Sequence, residues 1–328
     1  MHRILRFFIF IALLTAFSSR VDALQGIRIS RVVILRVDAP TSPVAKEAID
    51  DLKRGLRTLG YTEGQNIEFE IRWAENKLDR LSTISAELVK LNPDVIVTGG
   101  PQAVKSLKAT TNSIPVVMGR MDDVVEHGLV ASLARPGGNI TGLSFQTGEL
   151  SGKWLELLKD IFPRLTRAAV LWDQSSTAGQ LRTVQAAAQV ASLKLTVSRI
   201  TGLKDLDIAF DEFRKSRAEG LIILASPIFT AQRARLAQLA IKGKLPAVYY
   251  HEGFTESGGL VAYGPKLSEF SWHRAAGFVD KILKGAKPGE LPIEQPTKFD
   301  FVINLKTAKQ IGLTIPPNVL ARADRVIR

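Results

Sequence analysis

The amino-acid sequence predicts an α/β protein with two doubly wound parallel-sheet lobes in tandem. Short runs of β-branched and apolar residues alternate with amphipathic helical patterns along most of the chain. Continuous apolar strands separated by helices are typical of parallel sheets covered on both faces. The same order of elements then recurs in the second half at a nearly constant spacing, which indicates two copies of one lobe.

The first half of the chain supplies the first lobe. Its predicted strands are 32–35, 67–73, 94–98 and 115–118, and its predicted helices are 45–59, 81–91 and a segment from 102. In the first helix Ala48, Leu52 and Leu56 recur every four residues, which places them on one apolar face. The strand 94–98 reads DVIVT and is followed by the turn Gly99-Gly100.

The second half repeats this pattern. Its predicted strands are 168–172, 195–199, 221–225 and 246–250, and its predicted helices are 180–191, 208–217 and a segment from 230. The strand at 221–225 (LIILA) is the counterpart of DVIVT, and the strand at 246–250 (PAVYY) is the counterpart of PVVM at 115–118.

The remaining segments continue neither copy. The strand 140–145 leads out of the first lobe, and the tail contains strands at 258–263 and 299–303 and helices at 267–283 and 305–311. A tail shared between the lobes requires the chain to cross between them several times. Two lobes joined by several crossings form a hinge with a cleft between them.

The first 23 residues have the layout of a secretory signal peptide. Arg3 and Arg6 precede the apolar run Phe7–Phe17, and Val21-Asp22-Ala23 forms a small-residue cleavage pattern. The apolar run is shorter than the roughly 20 residues that span a bilayer, although an uncleaved anchor is the alternative interpretation. We therefore expect an exported protein.

Composition narrows the classes of function. The chain has no cysteine, which excludes disulfides, zinc–thiolate sites, cysteine nucleophiles and a lipidated cysteine anchor. The net charge of +12 would suit a nucleic-acid or anionic-surface partner. The basic residues are scattered, however, and few aromatic residues lie among them, so we expect no nucleic-acid partner.

The candidate ligand site lies at the carboxyl ends of the strands. In doubly wound sheets ligands bind there, and the loops after matched strands should face each other across the cleft. Candidates from the first lobe are Asp38, Ala39, Gly99, Gly100, Pro101, Arg120, Met121, Asp122 and Phe145. Candidates from the second lobe are Asp173, Gln174, Ser226, Pro227, Tyr250, His251 and Glu252.

These residue types suit a small polar ligand, and each has a structural alternative. The Gly99-Gly100 turn into a helix suits an anion, but a tight turn without a ligand fits it equally. Arg120 could pair with a ligand carboxylate or with Asp122. Asp122, Asp173 and Glu252 could receive an ammonium group or could cap helices. Aromatic side chains at the strand ends either stack on a flat ligand or pack the core; they are Phe145, Trp172, Tyr249 and Tyr250.

Enzyme signatures are largely missing from the sequence. The stretch 142–146 (GLSFQ) lacks the closing glycine of a nucleophile elbow. No G-x-G-x-x-G follows the first strand, and the chain has neither a P-loop nor an HExxH motif. We expect no cofactor and no metal. An exported hydrolase or lyase that uses the same cleft is the alternative function.

Several stretches resemble one family. They are GYTEGQN (60–66), RWAE (72–75), RPGGNITGLSF (135–145), SGGLVAYGP (257–265), ILKGAKPGELPIEQPTKFDFVINLKTAKQIGLTIPP (282–317) and LARADRVI (320–327). They are similar to the ABC-transporter substrate-binding proteins of rhizobia and related soil bacteria, which are related to tryptophan- and tyrosine-binding lipoproteins. The resemblance covers essentially the whole chain after the signal peptide.

The resemblance implies a type I periplasmic-binding-protein fold with a three-crossing hinge. The crossings are expected near 144–146, at 250–253 or later around 263–264, and at 287–292. The amino-terminal lobe would then comprise 24–144 plus 264–287, and the carboxy-terminal lobe 145–263 plus 288–328. The helix 267–283 would pack on the first lobe and 299–328 on the second.

The resemblance also implies the function. We expect an extracytoplasmic solute-binding component of an ABC importer that binds an amino acid or a related small organic molecule. Its partners would be permease and ATPase subunits in the membrane, and a ligand-sensing domain for a receptor is a further alternative. Because no cysteine is available for a lipid anchor, we expect a free periplasmic monomer.

Overall fold

The computed structural model describes residues 28–145, 147–174, 176, 178–266 and 271–328. The predicted signal peptide, 1–23, therefore lies outside the described residues. Two sheets, each with its own helices, divide the described chain into two α/β lobes.

The first lobe contains a five-stranded parallel sheet. Its elements are β1 (Ser30–Arg36), α1 (Pro43–Thr58), β2 (Ile67–Trp73), α2 (Arg80–Leu91), β3 (Val95–Gly99), α3 (Pro101–Thr110), β4 (Val116–Asp122) and β5 (Ile140–Phe145). The strand order is β2-β1-β3-β4-β5. Helix α1 begins at Pro43, and the Ser42 hydroxyl caps it by accepting a bond from the Ala45 N–H at 3.3 Å.

The second lobe contains a seven-stranded sheet. Its elements are α4 (Thr147–Ile161), β6 (Arg167–Asp173), α5 (Ala178–Val190), β7 (Lys194–Ile200), α6 (Asp205–Lys215), β8 (Gly220–Ile223), α7 (Pro227–Ala231), α8 (Arg233–Lys242), β9 (Ala247–Tyr249), α9 (Gly253–Glu256), β10 (Val261–Pro265), β11 (Phe299–Asn304), α11 (Leu305–Ile311), α12 (Pro317–Leu320) and β12 (Arg325–Ile327). Helix α10 (Trp272–Leu283) follows β10 in the chain but packs on the first lobe, against α1.

The internal repeat is confirmed by the strand orders. The second sheet reads β12-β11-β10-β9-β8-β6-β7, so its stretch β7-β6-β8-β9-β10 reproduces β2-β1-β3-β4-β5. The tail adds β11 antiparallel to β10 and β12 parallel to β11. The tail thus widens the second sheet with β11 and β12. The prediction that 140–145 and 258–263 continue neither copy is wrong, because β5 and β10 occupy matching positions in the two sheets.

Each lobe has its own buried core. In the first lobe α1 and α10 cover one face of the sheet and α2 and α3 cover the other. In the second lobe one continuous cluster joins the sheet to the surrounding helices, with Trp154, Phe213 and Phe254 fully buried. Two separate cores joined only by short connections leave the lobes able to move relative to each other.

The chain passes between the lobes three times. The first crossing joins β5 to α4, and the second joins β10 to α10. Of the two positions expected for the second crossing, 250–253 is wrong, because this segment leads into α9 and β10 of the same lobe. The predicted helix 267–283 is seen from Trp272 onward, and 267–270 lie outside the described residues.

The third crossing lies later than expected. The Ile293 N–H donates to the Leu133 carbonyl at 2.8 Å, and the Glu294 N–H donates to the Gly142 carbonyl at 3.0 Å. The Thr141 hydroxyl donates to the Leu291 carbonyl at 2.8 Å. Residues 288–294 therefore cover the β5 edge of the first sheet, whereas we had placed 288 onward in the second lobe. The crossing follows Glu294.

Candidate functional site

A β-bulge in β4 places Arg120 at the cleft. The segment 119–122, predicted as a loop, continues β4, and the register with β5 shifts between Met118 and Met121. Met118 and Met121 both pack in the first-lobe core although they are three positions apart, an odd spacing that a regular strand would place on opposite faces. The extra residue therefore reverses the alternation, so that Met121 faces the core and Arg120 does not.

Arg120 is a cation with no counter-ion in the described part of the chain. Its Nε is buried without a hydrogen-bond acceptor. Burial lowers the pKa of Arg120; Tyr250 opposes this shift most, the Arg36 cation adds to it, and the more weakly coupled Glu47 and Asp51 also oppose it. Its guanidinium lies 5.4 Å from the centroid of the Phe145 ring. Arg120 is half-buried, and a guanidinium with a buried, unpartnered Nε and no ion-paired acid is costly, so this position favours an anionic ligand group.

The neighbouring Arg36 is already neutralised. Its Nε and one terminal nitrogen donate to the two Asp38 carboxylate oxygens at 2.9 and 2.7 Å. Its guanidinium also stacks over the Trp272 ring, 4.9 Å from the centroid. Asp38, a predicted ligand residue, is therefore engaged by its own lobe.

Trp272 packs against strands β3 and β4 of the first lobe, and it was not among the predicted site residues. A Cβ built on Gly119 would lie 2.6 Å from its indole, and one on Gly99 would lie 3.0 Å away. Gly99 ends β3 and Gly119 lies in the neighbouring strand β4, and their missing side chains leave the space that the indole fills. Gly99 was interpreted only as part of the Gly99-Gly100 turn, as an anion site or an empty tight turn, and Gly119 was given no role.

The Gly99-Gly100 turn has a defined backbone geometry. Gly100 has φ +83° and precedes α3, whose first residue is the buried Pro101. The Gly100 N–H donates to the Arg120 carbonyl at 3.1 Å. Only glycine adopts this φ readily, so the turn ties α3 to the bulge that carries Arg120.

His251 brings a neutral donor from the second lobe. Its Nδ1 accepts a hydrogen bond from the Gly253 N–H at 3.1 Å, so the neutral ring carries its proton on Nε2. This Nε2 is buried and has no partner in the described ranges. Burial, together with the Arg120 and Arg233 cations, lowers the pKa of His251 to about 3. Arg120 is electrostatically coupled to His251 and to Tyr250, so this first-lobe cation lies near both second-lobe side chains.

A buried polar network fixes the second-lobe face. The Ser226 hydroxyl donates to Asp173 Oδ2 at 2.5 Å and accepts from the Ile228 N–H at 3.1 Å, which caps α7. The Tyr250 hydroxyl donates to the Ser226 carbonyl at 2.6 Å and lies 2.6 Å from the Thr230 hydroxyl. Asp173, Ser226 and Tyr250 are thus brought together, but their polar atoms bond to each other.

Asp122 faces the second lobe with only weak partners among the described residues. Its Oδ2 lies 3.4 Å from Gln180 Nε2, and its Oδ1 lies 3.7 Å from His127 Nε2. Gln180 is held by Ala225, whose N–H donates to Gln180 Oε1 at 2.7 Å. The Asp122 side chain is 13% exposed, so its carboxylate is nearly desolvated. This carboxylate suits an ammonium group.

The other predicted residues lie outside this arrangement or at its margin. Met121 is in the first-lobe core, Ala39 is half-buried, and Gln174 and Pro227 are exposed. Glu252 belongs to a separate charged cluster. Burial, followed by Asp300 and Glu256, raises the pKa of Glu252, and Arg325 and Lys266 oppose the shift.

Among 28–145, 147–174, 176, 178–266 and 271–328, no group of three or more His, Asp or Glu side chains is arranged to hold a metal ion. In the same ranges no helix combines the length and the apolar character that crossing a membrane requires.

Comparison with known proteins identifies relatives along most of the chain. The profile of the family described as ABC transporter substrate binding protein matches residues 34–327. A tyrosine-binding protein of Clostridioides difficile is 23% identical over 276 residues, covering 82% of this chain and 79% of that protein.

Two solved structures are similar in fold. A conserved domain protein from Vibrio cholerae superposes with a TM-score of 0.84 at 26% identity, covering 91% of this chain and 100% of that one. An ABC domain from Streptococcus pneumoniae in complex with L-Trp superposes with a TM-score of 0.82 at 23% identity, with the same coverage. With two parallel-sheet lobes, three crossings and a family match over most of its length, the chain belongs to the ABC transporter substrate-binding protein family, whose extracytoplasmic members bind small solutes and work with an ABC permease.

Proposed function

We propose that this protein binds a small solute carrying a carboxylate between its lobes and delivers it to a membrane permease. The observation that carries the proposal is Arg120, a half-buried cation whose Nε is buried without an acceptor and which has no carboxylate within ion-pair distance in the described chain. A ligand carboxylate would supply the missing counter-ion and two acceptor oxygens.

The second lobe contributes the neutral donor His251 Nε2–H to the same carboxylate. Arg120 lies on the first lobe and His251 on the second, so a ligand held by both stabilises the arrangement in which the lobes are close. Closure then follows from the ligand's higher affinity for that arrangement.

Asp122 favours a solute that also carries an amine, since its carboxylate is nearly desolvated and weakly partnered. A carboxylate and an amine together describe an amino acid. The names of the relatives, a tyrosine-binding protein and a domain in complex with L-Trp, support an aromatic amino acid as the first solute to test.

The same proposal includes export and a binding role without catalysis. Residues 1–23 would be a cleaved signal peptide, and the mature chain would be a periplasmic monomer with no cofactor. A binding protein returns its solute unchanged, so recovery of intact solute after prolonged incubation supports binding, and product formation would indicate a hydrolase or lyase.

Calorimetry with matched solutes tests the carboxylate. The set is L-tryptophan, L-tryptophanamide, which lacks the carboxylate charge, and indole-3-propionate, which lacks the amine. We expect L-tryptophan to bind with one site per chain and the amide to bind far more weakly. If the natural solute has a side chain other than that of tryptophan, thermal-shift screening of other amino acids and their amides will identify it. A bound solute at a hundredfold excess over its Kd should add about 2.7 kcal/mol to the free energy of unfolding. Equal binding of acids and amides would overturn the proposal.

A further inference from the structure

A short acidic segment of the first lobe lies against the second lobe. This segment, 122–127, follows the bulged end of β4 and is held in the first-lobe core by the buried Val124. It contains three carboxylates, Asp122, Asp123 and Glu126. Each of them contacts a second-lobe residue, so the lobes meet at this segment as well as at the crossings.

The Asp123 contact lies beside the first crossing. Its Oδ2 accepts from the Thr147 hydroxyl at 2.9 Å and from the Gly148 N–H at 3.1 Å, both in the first turn of α4. Because the chain crosses at 145–147, this contact is close to the pivot. It changes little when the lobes rotate.

The Glu126 contact is made with the N-terminal part of α5, at Gly179 and Arg182. The Arg182 guanidinium donates to Glu126 Oε1 at 2.8 Å. A Cβ built on Gly179 would lie 2.0 Å from Glu126 Oε2, so the carboxylate rests directly on the helix backbone. The N-terminal end of an α-helix carries a partial positive charge. Glu126 therefore meets both a helix end and a cation.

We propose that the acidic segment is an electrostatic latch that holds the two lobes together before any solute binds. Asp123 anchors it at the pivot, and Glu126 makes the contact that must break when the lobes open. A chain that is closed for part of the time presents Arg120 and His251 already facing each other, which raises the apparent affinity for a solute.

The solvent exposure of the Glu126–Arg182 ion pair determines how strongly the latch favours the closed arrangement. The Glu126 side chain is 33% exposed and the Arg182 side chain 65%. Pairs this exposed are weak and screened by salt. We therefore expect the latch to change the ratio of closed to open chains by about three- to tenfold at low salt, and to lose most of that effect at 1 M salt.

The chain's lack of cysteine allows a direct measurement without a solute. Spin labels on Ala109→Cys in α3 and Val190→Cys in α5 report the interlobe distance, and both positions are exposed. Glu126→Lys should shift the distance distribution toward longer values, and Arg182→Glu should do the same from the other lobe. Glu156→Lys is the matched control, because Glu156 pairs with Lys153 within α4 and should leave the distribution unchanged.

Exchanging the charges at positions 126 and 182 separates the ion pair from the attraction between Glu126 and the N-terminal end of α5. In Glu126→Arg with Arg182→Glu the ion pair is restored, but the residue-126 cation now faces the positive end of α5. We expect only partial recovery of the short distance, and complete recovery would contradict the role of the helix end. A wild-type distribution that is wholly open, or one that Glu126→Lys leaves unchanged, would overturn the latch. Since no solute is added, these outcomes are independent of whether the proposed solute binds.

Discussion

The two faces of the cleft are built on the same topology but use different chemistry. The first-lobe face presents Arg120, a permanent cation re-aimed by a bulge and left without an acid in the described residues. The second-lobe face presents His251, kept neutral by burial, above a network in which Asp173, Ser226 and Tyr250 satisfy one another. One lobe supplies the charge that selects the ligand, and the other supplies a rigid neutral surface that closes on it.

The largest expected effect is a loss of solute affinity, which should be greater for a substitution on the first-lobe face than for one on the second-lobe face. Arg120→Met should weaken carboxylate binding by at least about 30-fold, because a desolvated charge pair is worth roughly 2–5 kcal/mol. His251→Gln removes one neutral hydrogen bond, worth about 0.5–1.5 kcal/mol, and should cost no more than about tenfold. Calorimetry with L-tryptophan measures both. Arg199→Met, an exposed arginine on β7, is the control. Equal losses at the two positions would break the comparison.

The neutrality of His251 should appear in the pH dependence of stability. In the unfolded chain the imidazole takes up a proton near pH 6.5, whereas in the folded chain it does so only at about pH 3. Between these values the unfolded state binds more protons, so the free energy of unfolding falls as the pH is lowered from 6.5. The contribution approaches 1.4 kcal/mol per pH unit, or about 2 kcal/mol at pH 5.

Urea unfolding at several pH values tests this assignment. His251→Gln should flatten the decline of stability between pH 6.5 and 4.5 relative to wild type. The exposed His273→Gln provides a matched substitution that should leave the slope unchanged. A His251→Gln slope that coincides with the wild-type slope would show that His251 titrates normally, and the second-lobe face would then carry charge in acid.

The fold was predictable because it depends on apolar periodicity repeated twice. The strands 67–73 and 140–145 were predicted at their observed bounds. The matched order of the two sheets followed from the constant spacing of apolar runs. Each of these features is local in the sequence, and sheet burial makes it strong.

The site was only partly predictable, because its geometry depends on events that leave no local pattern. The bulge at 118–121 turned an expected loop into strand, sending Met121 into the core and Arg120 away from it. Trp272 contacts Gly99 and Gly119, although it follows the second crossing and lies more than 150 residues further along the chain. Asp38 is engaged by Arg36, two residues away, whereas the weak partner of Asp122 across the cleft, Gln180, lies 58 residues along the chain.

The close contact between Gly119 and the Trp272 indole gives a stability test of the first-lobe face. Gly119→Ala places a Cβ 2.6 Å from the indole, so the ring or the bulge must move. Overpacking of this kind lowers the free energy of unfolding by about 1–3 kcal/mol. Gly138→Ala is the control, since a Cβ there meets no atom within 4 Å. Thermal unfolding of both variants measures the difference. Equal stability of the two variants would mean that the contact with Gly119 does not hold Trp272 in place.

The smallest expected effect concerns the second charged group of the first-lobe face. If Asp122 receives the solute's amine, Asp122→Asn should weaken L-tryptophan about tenfold, because a hydrogen bond to a charged group is worth about 1.5–3 kcal/mol and the amide retains part of it. Binding of indole-3-propionate, which has no amine, should be unchanged or slightly tighter in the same variant. Asp173→Asn is the informative companion. The Asp173 carboxylate is bonded to Ser226, so its loss should lower stability and leave the preference between the two solutes intact. A preference that responds to Asp173 and not to Asp122 would move the ammonium site to the second lobe and reverse the division of labour between the faces.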